Sequence, residues 1–180
     1  IKRICQKIDL SSNDHVLEIG TGWGGFAIYA AQNFGCKVTT TTISQKQYEY
    51  TIQKVNFLGL GNKINVIKKD YRDLTGQFDK LVSIEMIEAV GHHYYHDFFR
   101  KCNQLLIPDG RMLLQSIIIT DYLYEEAKQF SDFIKTYIFP GSCIPSISKL
   151  CESSAKATDM RLFHLEDITP HYAKTLNHWR

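Results

Sequence analysis

The sequence lacks the long apolar runs and paired cysteines that would place it in several large classes of protein. No apolar run approaches ~18 residues, the length that a membrane-spanning helix needs, and no signal-peptide pattern opens the chain. The five cysteines are odd in number and form no C-x-x-C pair, so neither a zinc cluster nor a full disulfide framework is indicated. We therefore expect a cytoplasmic protein, for which contact with a membrane surface remains compatible with the sequence.

The sequence also has no large excess of charge of either sign. The net charge is only +2 and the basic residues are scattered, so no nucleic acid is expected as a partner. A chain of 180 residues, 44% of them hydrophobic, is long enough for one core, and we predict a single domain over residues 1–180. It begins without Met in helical spacing and ends without a capping signal, which favours a fragment of a longer chain. The sequence leaves a homodimer open.

Strand and helix signals alternate along the first two thirds of the chain. The predicted elements are strands at 15–19, 37–41, 64–68, 80–84 and 111–119, and helices at 26–33, 45–58 and 94–106. This alternation predicts an α/β fold with a mostly parallel sheet and helices on both faces. Residues 120–158 show two helical patterns without a strand between them, which predicts a helical insertion that covers one end of the sheet. Residues 159–167 are then predicted to resume as a strand.

A glycine-rich stretch, "VLEIGTGWGG", follows the first predicted strand, where ligands of open α/β sheets usually bind. Gly20, Gly22 and Gly25 match the dinucleotide fingerprint G-x-G-x-x-G. A nicotinamide cofactor also requires an acid about 20 residues further on, to bind the ribose hydroxyls. The second strand ends instead in "VTTTTIS", which has no carboxylate. The missing acid argues against a nicotinamide cofactor.

The same stretch also fits the pattern acidic-x-G-x-G-x-G, with Glu18 in the strand followed by Gly20, Gly22 and Gly24. This arrangement resembles S-adenosylmethionine-dependent methyltransferases, in which the loop receives the methionine end of the cofactor. Glu18 suits the methionine ammonium group. The alternative is a tight strand-to-helix turn without a ligand.

Further motifs make the resemblance more specific. "DYRDL" places Asp70 and Tyr71 where such methyltransferases hold the adenine, although Asp70 is equally compatible with an Asx-type turn. The motifs whose order and spacing matter are "VLEIGTGWGGFAIYAA", "TTISQKQ", "DYRDL", "SIEMIEAVGHHYY", "YIFPGSCIPS" and "HLEDITPHYAKTLNHWR". Together they resemble the cyclopropane-fatty-acyl-phospholipid synthase family, which includes the mycolic acid cyclopropane synthases. The resemblance covers almost the whole chain.

The resemblance implies a Rossmann-like methyltransferase fold and a defined reaction. A methyl group passes from S-adenosylmethionine to a cis double bond of an unsaturated phospholipid at a membrane surface, and loss of a proton closes a cyclopropane ring. The implied cofactor-binding residues are Glu18, Gly20 and Gly22 for the methionine, Thr42, Ile43 and Gln47 for the ribose and adenine, and Tyr71 and Arg72 for the far side of the base.

The resemblance also implies a bicarbonate ion beside the reacting carbon. Glu88 would accept the bicarbonate proton, while the Gln115 amide, the Ile117 backbone N–H and the Tyr172 hydroxyl donate to its oxygens. Such an anion suits the chemistry, because methyl addition to an alkene creates a carbocation that needs negative charge and a base. Each residue also has a simpler explanation: Glu88 as a helix cap or ion-pair partner, and Tyr172 as a core aromatic.

Three departures from the family pattern stand out. Thr21 replaces the usual cysteine, and its side chain is expected to matter little because the backbone shapes the loop. Gln115 stands where some members have His, and both residues can donate to an anion. Family members also have an N-terminal segment with a Cys that contributes to the bicarbonate site, and none of the five cysteines here occupies that place. The activity of this chain by itself therefore stays open.

Other interpretations are weaker or remain as rivals. His92 and His96 are four residues apart, but "GHHYYHD" offers no clear third ligand, so no metal site is predicted. One rival function is a methyltransferase of the same fold that acts on a small amine or phenol. The other is a non-catalytic module that binds lipid or cofactor.

Overall fold

The structure, a computed structural model, describes residues 1–130 and 133–180. Its sheet consists of five parallel strands in the order β3-β2-β1-β4-β5. The strands are β1 (His15–Ile19), β2 (Lys37–Thr42), β3 (Ile64–Lys68), β4 (Phe78–Ile84) and β5 (Leu106–Gln115).

Helices connect the strands and form most of the last third of the chain. They are α1 (Lys2–Lys7), α2 (Gly25–Phe34), α3 (Gln45–Phe57), α4 (Tyr95–Leu105), α5 (Asp121–Gln129), α6 (Ile147–Ala157) and α7 (Thr169–Trp179). Short 3₁₀ turns lie at Tyr71–Asp73, Ile87–Ala89 and His92–Tyr94, and one π-helical turn lies at Ile134–Ile138.

Alternating residues of the strands supply two apolar layers. Val16 and Val82 pack with the α2 side chains on one face of the sheet, whereas Leu17 and Leu81 pack with Phe98 of α4 on the other. Because successive side chains of a strand point to opposite faces, such near-continuous apolar strands need helices on both sides. The α/β class and the two-sided parallel sheet predicted from the sequence are confirmed.

For the strands and helices over residues 15–106, the predicted bounds agree with the structure to within two residues. The exception among the strands that form is β5. This strand begins at Leu106 rather than Arg111, and a register shift opposite Phe78 and Lys80 accommodates the turn residues that the sequence placed before it. It ends at Gln115 rather than Ile119 because Gln115 pairs with Ile84, the last residue of β4. Beyond that point no neighbouring residue of β4 remains to continue the ladder.

The prediction of a strand at residues 159–167 is wrong. The described residues of this segment have no ladder partner, and Leu162, Phe163 and Leu165 are 65%, 96% and 60% exposed. Glu166 is instead paired with Arg3 and Lys7 at the start of the chain. An apolar sequence favours a strand only where a neighbouring strand can accept its hydrogen bonds.

The turn from β1 into α2 depends on the absence of a side chain at Gly24. This residue caps α2 with a φ of +77°, in the left-handed region where a β-carbon is unfavourable. A β-carbon there would also lie 2.8 Å from Cγ2 of Thr51, a fully buried residue of α3. Gly24 therefore lets α2 and α3 approach each other as well as closing the turn.

We predict that Gly24→Ala destabilises the fold by about 2–4 kcal/mol, since the strained φ and the steric overlap both oppose it. Gly59→Ala is the matched control, because Gly59 has a φ of +67° but no atom within 4 Å of the position that a β-carbon would occupy. The control is expected to cost only about 1–2 kcal/mol. Urea unfolding of both variants measures the difference, and equal losses would contradict the proposed close approach.

Candidate functional site

The predicted site residues lie along one edge of the sheet, where the carboxyl ends of the parallel strands meet. Ile19 of β1 is aligned with Thr41 of β2 and Ser83 of β4, and Ile84 is aligned with Gln115. The loops that follow these strands therefore emerge side by side. Ligands of open α/β sheets bind at this edge.

Glu18 is buried beneath the glycine turn, with 3% of its surface exposed. The Thr40 hydroxyl donates to its Oε2 at 2.6 Å, and the Thr21 hydroxyl lies 2.8 Å from that of Thr40. Burial raises the pKa of Glu18 to about 8, because desolvation disfavours the charged form more than the Thr40 bond favours it. The sequence pointed to Glu18 but missed Thr40, and it gave no role to the Thr21 side chain that extends this chain of hydroxyls.

The glycine turn is fixed to the neighbouring strand through its backbone. The N–H groups of Gly20 and Thr21 both donate to the Thr41 carbonyl at 3.0 Å. Gly22 follows with a φ of +51°, and a β-carbon at this position would meet nothing within 4 Å. The backbone at Gly22 thus borders free space, the arrangement required for close approach of a ligand.

The residues predicted to hold the ribose and adenine lie just after β2. The Thr42 hydroxyl donates to Oε1 of Gln47 at 2.8 Å, which connects the end of the strand to the first turn of α3. Ser44 caps that helix, its hydroxyl accepting from the Gln47 N–H at 3.4 Å. Ile43 projects from this turn and is 75% exposed. The three predicted residues are thus held in one short segment.

Tyr71 and Arg72 occupy the 3₁₀ turn after β3. The Tyr71 ring packs edge-on against Phe98 with centroids 5.5 Å apart, and burial raises its pKa to about 12. The Arg72 guanidinium donates to both carboxylate oxygens of Asp70, at 3.0 and 2.7 Å, and lowers the pKa of that group. Asp70 Oδ1 also accepts from the Arg72 N–H at 2.9 Å. Asp70 therefore forms the Asx-type turn that the sequence allowed.

Two of the four residues assigned to the anion are in direct contact. The Ile117 N–H donates to Oε1 of Glu88 at 2.5 Å, so in this structure the predicted donor and acceptor satisfy each other. Glu88 Oε2 is buried and has no hydrogen-bond partner among the described residues. Burial raises the pKa of Glu88, and interactions with the backbone of Glu88 itself, the Ile117 N–H and the Ser116 side chain oppose that rise only in part. An unpaired buried carboxylate oxygen is costly, which points to a ligand that donates to it.

The other two residues share a cleft. Gln115 and Tyr172 line a cavity of about 270 Å³ together with Glu85, Ile168, His171 and Thr175. The Gln115 amide donates to Oε1 of Glu85 at 2.9 Å. Tyr172 comes from α7, so the cleft lies between the ends of β4 and β5 and this last helix. Glu85 was missed from the sequence, because no local pattern distinguishes it from Glu88 three residues later.

The residues of the candidate site fit the two bound groups that the sequence implies, a cofactor and an anion. An open glycine backbone and a buried carboxylate fit the methionine end of S-adenosylmethionine, and the orphan Glu88 oxygen fits a protonated oxyanion such as bicarbonate. Over residues 1–130 and 133–180 no group of three His, Cys, Asp or Glu side chains is arranged to hold a metal ion.

The fold and the glycine turn define a class of protein. A crystal structure of mycolic acid cyclopropane synthase CmaA1 complexed with SAH and CTAB superposes with a TM-score of 0.88 and 30% identity, over 99% of this chain and 66% of that one. The architecture is the Rossmann-like fold of S-adenosylmethionine-dependent methyltransferases.

Within this class the chain belongs to the mycolic acid cyclopropane synthetase family, whose profile matches residues 1–180. It is 36% identical to tuberculostearic acid methyltransferase UfaA1 of Mycobacterium tuberculosis and 35% identical to cyclopropane-fatty-acyl-phospholipid synthase of Escherichia coli. These alignments cover 100% and 99% of this chain but only 42% and 44% of the relatives, so the chain spans less than half of their length. The family resemblance seen in the sequence is confirmed.

None of the described helices is both long and apolar enough to cross a bilayer.

The buried Glu18 predicts a pH-dependent stability. Its pKa is about 8 in the folded chain, so the folded state keeps a proton that the unfolded state loses above about pH 4.5. We expect the free energy of unfolding to fall as pH rises from about 4.5 to 8, by up to about 1.4 kcal/mol per pH unit. Glu18→Gln should flatten this fall, whereas Glu126→Gln at an exposed position should not. Denaturant titrations across this range test both, and an unchanged slope in Glu18→Gln would contradict the assignment.

Proposed function

We propose that this chain carries the transfer site of an S-adenosylmethionine-dependent enzyme that acts on the cis double bond of an unsaturated phospholipid acyl chain and forms a cyclopropane fatty acid. The activity is proposed for the full-length protein, located in the cytoplasm and peripheral to the membrane. The observation that carries the proposal is the buried, unpartnered Oε2 of Glu88 beside the ends of β4 and β5. A methyltransferase that delivers its methyl group to an amine or phenol has less need of such a group.

The reaction explains why negative charge is needed here. When bound, S-adenosylmethionine supplies an electrophilic methyl group. Forming a carbon–carbon bond from an alkene leaves a positive charge on the second alkene carbon, and closing the ring requires loss of one proton from the new methyl group. Carboxylate oxygens that are already in place stabilise such a charge without reorganisation. Glu88 provides one at Oε2, beside the ends of β4 and β5.

The residues proposed for bicarbonate would hold it through complementary groups. Glu88 Oε2 would accept from its hydroxyl, and Gln115, the Ile117 N–H and Tyr172 would donate to its oxygens. The Ile117 N–H is bonded to Glu88 Oε1 in this structure, so it would have to share or exchange that bond. The anion would supply negative charge and basicity next to the reacting carbon.

The proposed cofactor residues form three groups along the sheet edge, one for each part of the cofactor. Gly22 leaves the backbone accessible, and Gly20 leaves room for the Met86 side chain, whose Cγ would lie 3.2 Å from a β-carbon there. Glu18 offers a carboxyl group that a cationic ammonium would favour in its charged form. Thr42, Ile43 and Gln47 lie after β2 for the ribose and adenine. Tyr71 and Arg72 lie after β3 for the far side of the base.

A lipid substrate is supported by the surface of the helical insertion, residues 120–158. Its exposed aromatic side chains include Tyr122, Phe130, Phe133, Tyr137 and Phe139, each at least 60% exposed. Exposed apolar side chains in such number mark contact with an apolar partner. We propose that this insertion covers the acyl chain and touches the membrane surface.

Gly22→Val tests the cofactor site. The valine side chain would enter the free space beside the glycine turn, so we expect binding of S-adenosylmethionine to be lost while the fold remains. Gly59→Val is the control, because it places the same residue at a similar φ, +67°, with equally free surroundings away from the site. Calorimetry on both proteins decides the question, and wild-type affinity in Gly22→Val would remove the assignment.

Glu88→Gln tests the reaction. The substitution keeps the size of the side chain but replaces an acceptor oxygen with a donor, so turnover of unsaturated phospholipid by the full-length protein should fall by at least ~10²-fold. Cofactor affinity should stay within a few-fold, and Asp109→Asn, at an exposed position near the opposite end of β5, should leave the rate unchanged. Mass spectrometry of the lipid product measures turnover and identifies the ring. Wild-type turnover by Glu88→Gln in bicarbonate-depleted buffer, or activity of the unaltered protein on amines alone, would favour the small-molecule alternative.

A further inference from the structure

Glu85 adopts an unfavourable backbone conformation at the edge of the candidate site. Its φ is +48°, and the other non-glycine residues of the described chain with positive φ are Asp9 and Asp109. Asp and Asn tolerate the left-handed region because their short side chains bond to the local backbone, but Glu has no such advantage. Such strain, when it lies in a site, is a reason to look for a function of the side chain.

The Glu85 side chain and backbone both contact Gln115 of β5. The Glu85 N–H donates to the Gln115 carbonyl at 2.8 Å, and the Gln115 Nε2 donates to Glu85 Oε1 at 2.9 Å. A glycine at position 85 could make the first bond without strain, so the backbone contact alone does not call for glutamate. Only the second bond requires its carboxylate.

The carboxylate fixes which way the Gln115 amide faces. A side-chain amide has a donor end and an acceptor end of nearly equal shape, and a carboxylate can only accept. Glu85 therefore holds the NH₂ end of Gln115 toward itself, which leaves the second amide hydrogen and the amide oxygen for other contacts. Both residues line the cleft of about 270 Å³ that Tyr172 also lines.

Glu85 also lies within electrostatic reach of Glu88, since its negative charge contributes to the raised pKa of Glu88. The two carboxylates and the oriented amide thus border the same part of the sheet edge. A polar environment that is oriented before the reaction stabilises a developing charge better than one that must reorient.

We propose that Glu85 is a positioning residue of the transfer site, whose carboxylate holds the Gln115 side-chain amide in one orientation at the wall of the cleft. This inference rests on the proposed function for its effect on turnover, but the orientation of the amide can be measured without any substrate.

The main test is Glu85→Gly in the full-length protein. Glycine relieves the positive φ and keeps the backbone bond, so the melting temperature should be equal to or higher than that of the wild type. Turnover should nevertheless fall by about 10- to 100-fold, as expected when a reacting group is misplaced. Asp109→Gly is the matched control: it relieves a φ of +63° at an exposed position near the opposite end of β5, and should keep full activity.

Two further variants separate positioning from a structural role. Glu85→Gln keeps the reach of the side chain but adds a donor end, so it no longer imposes one orientation on the Gln115 amide, and its turnover should lie between those of the wild type and Glu85→Gly. In a Gln115→Ala background, Glu85→Gly should cost little more, because residues that act through one another are not additive. Full additivity of the two losses would overturn the proposal.

The substrate-free readout is the mobility of the Gln115 side-chain amide in ¹⁵N NMR relaxation. We expect it to be ordered in the wild type and in Asp109→Gly, and mobile in Glu85→Gly. Equal order in all three proteins would overturn the proposal, as would wild-type turnover by a well-folded Glu85→Gly. If the unaltered protein fails to convert unsaturated phospholipid, the proposed function fails, whereas a loss of amide order in Glu85→Gly would still support the positioning role.

Discussion

The parallel pairing of β1 with β2 on one side and β4 on the other determines where the glycine turn and the loops after β2 and β4 lie. It brings the ends of these strands to one edge, and the Thr41 carbonyl then holds the glycine turn through the N–H groups of Gly20 and Thr21. These two bonds fix the turn against the end of β2. The glycines provide the conformations of the turn, but the neighbouring strand decides where the turn is held. The apolar layers on both faces serve the site by keeping this register.

Two carboxyl groups at this edge differ in burial and in partners: Glu18 is buried, whereas Glu88 is half-buried with its Oε2 atom buried. Glu18 accepts from Thr40, which is itself part of a chain of hydroxyls, but burial favours its neutral form more strongly than this bond favours the charged form. Glu88 accepts a backbone N–H at one oxygen while the other has no partner among the described residues. Glu18 therefore has a partner within the protein at Oε2, whereas Oε2 of Glu88 leaves an interaction for a ligand to make. That contrast agrees with the roles proposed for the two residues, Glu18 toward the cofactor and Glu88 in the reaction.

Much of the fold and part of the site could be predicted from the sequence. Periodicity and turn residues are local signals, so the five strands and the glycine turn were found, and the family motifs gave the candidate residues around Glu88. What depends on pairing between distant segments was not found. The apolar pattern at residues 159–167 gives no information about whether a partner strand is available. The φ of Glu85 and its bond to Gln115 arise only when β4 and β5 are aligned.

The position of β5 has a consequence for how this chain behaves in solution. Within the described residues β5 pairs only with β4, so its other side presents unpaired N–H and C=O groups at the boundary of the sheet. The same chain exposes Leu162, Phe163 and Leu165 in a segment without ladder bonds. An open strand edge and an exposed apolar segment both favour β-pairing between molecules. Prepared by itself, this chain is therefore expected to aggregate through that boundary, and capping it is a requirement for keeping the protein monodisperse.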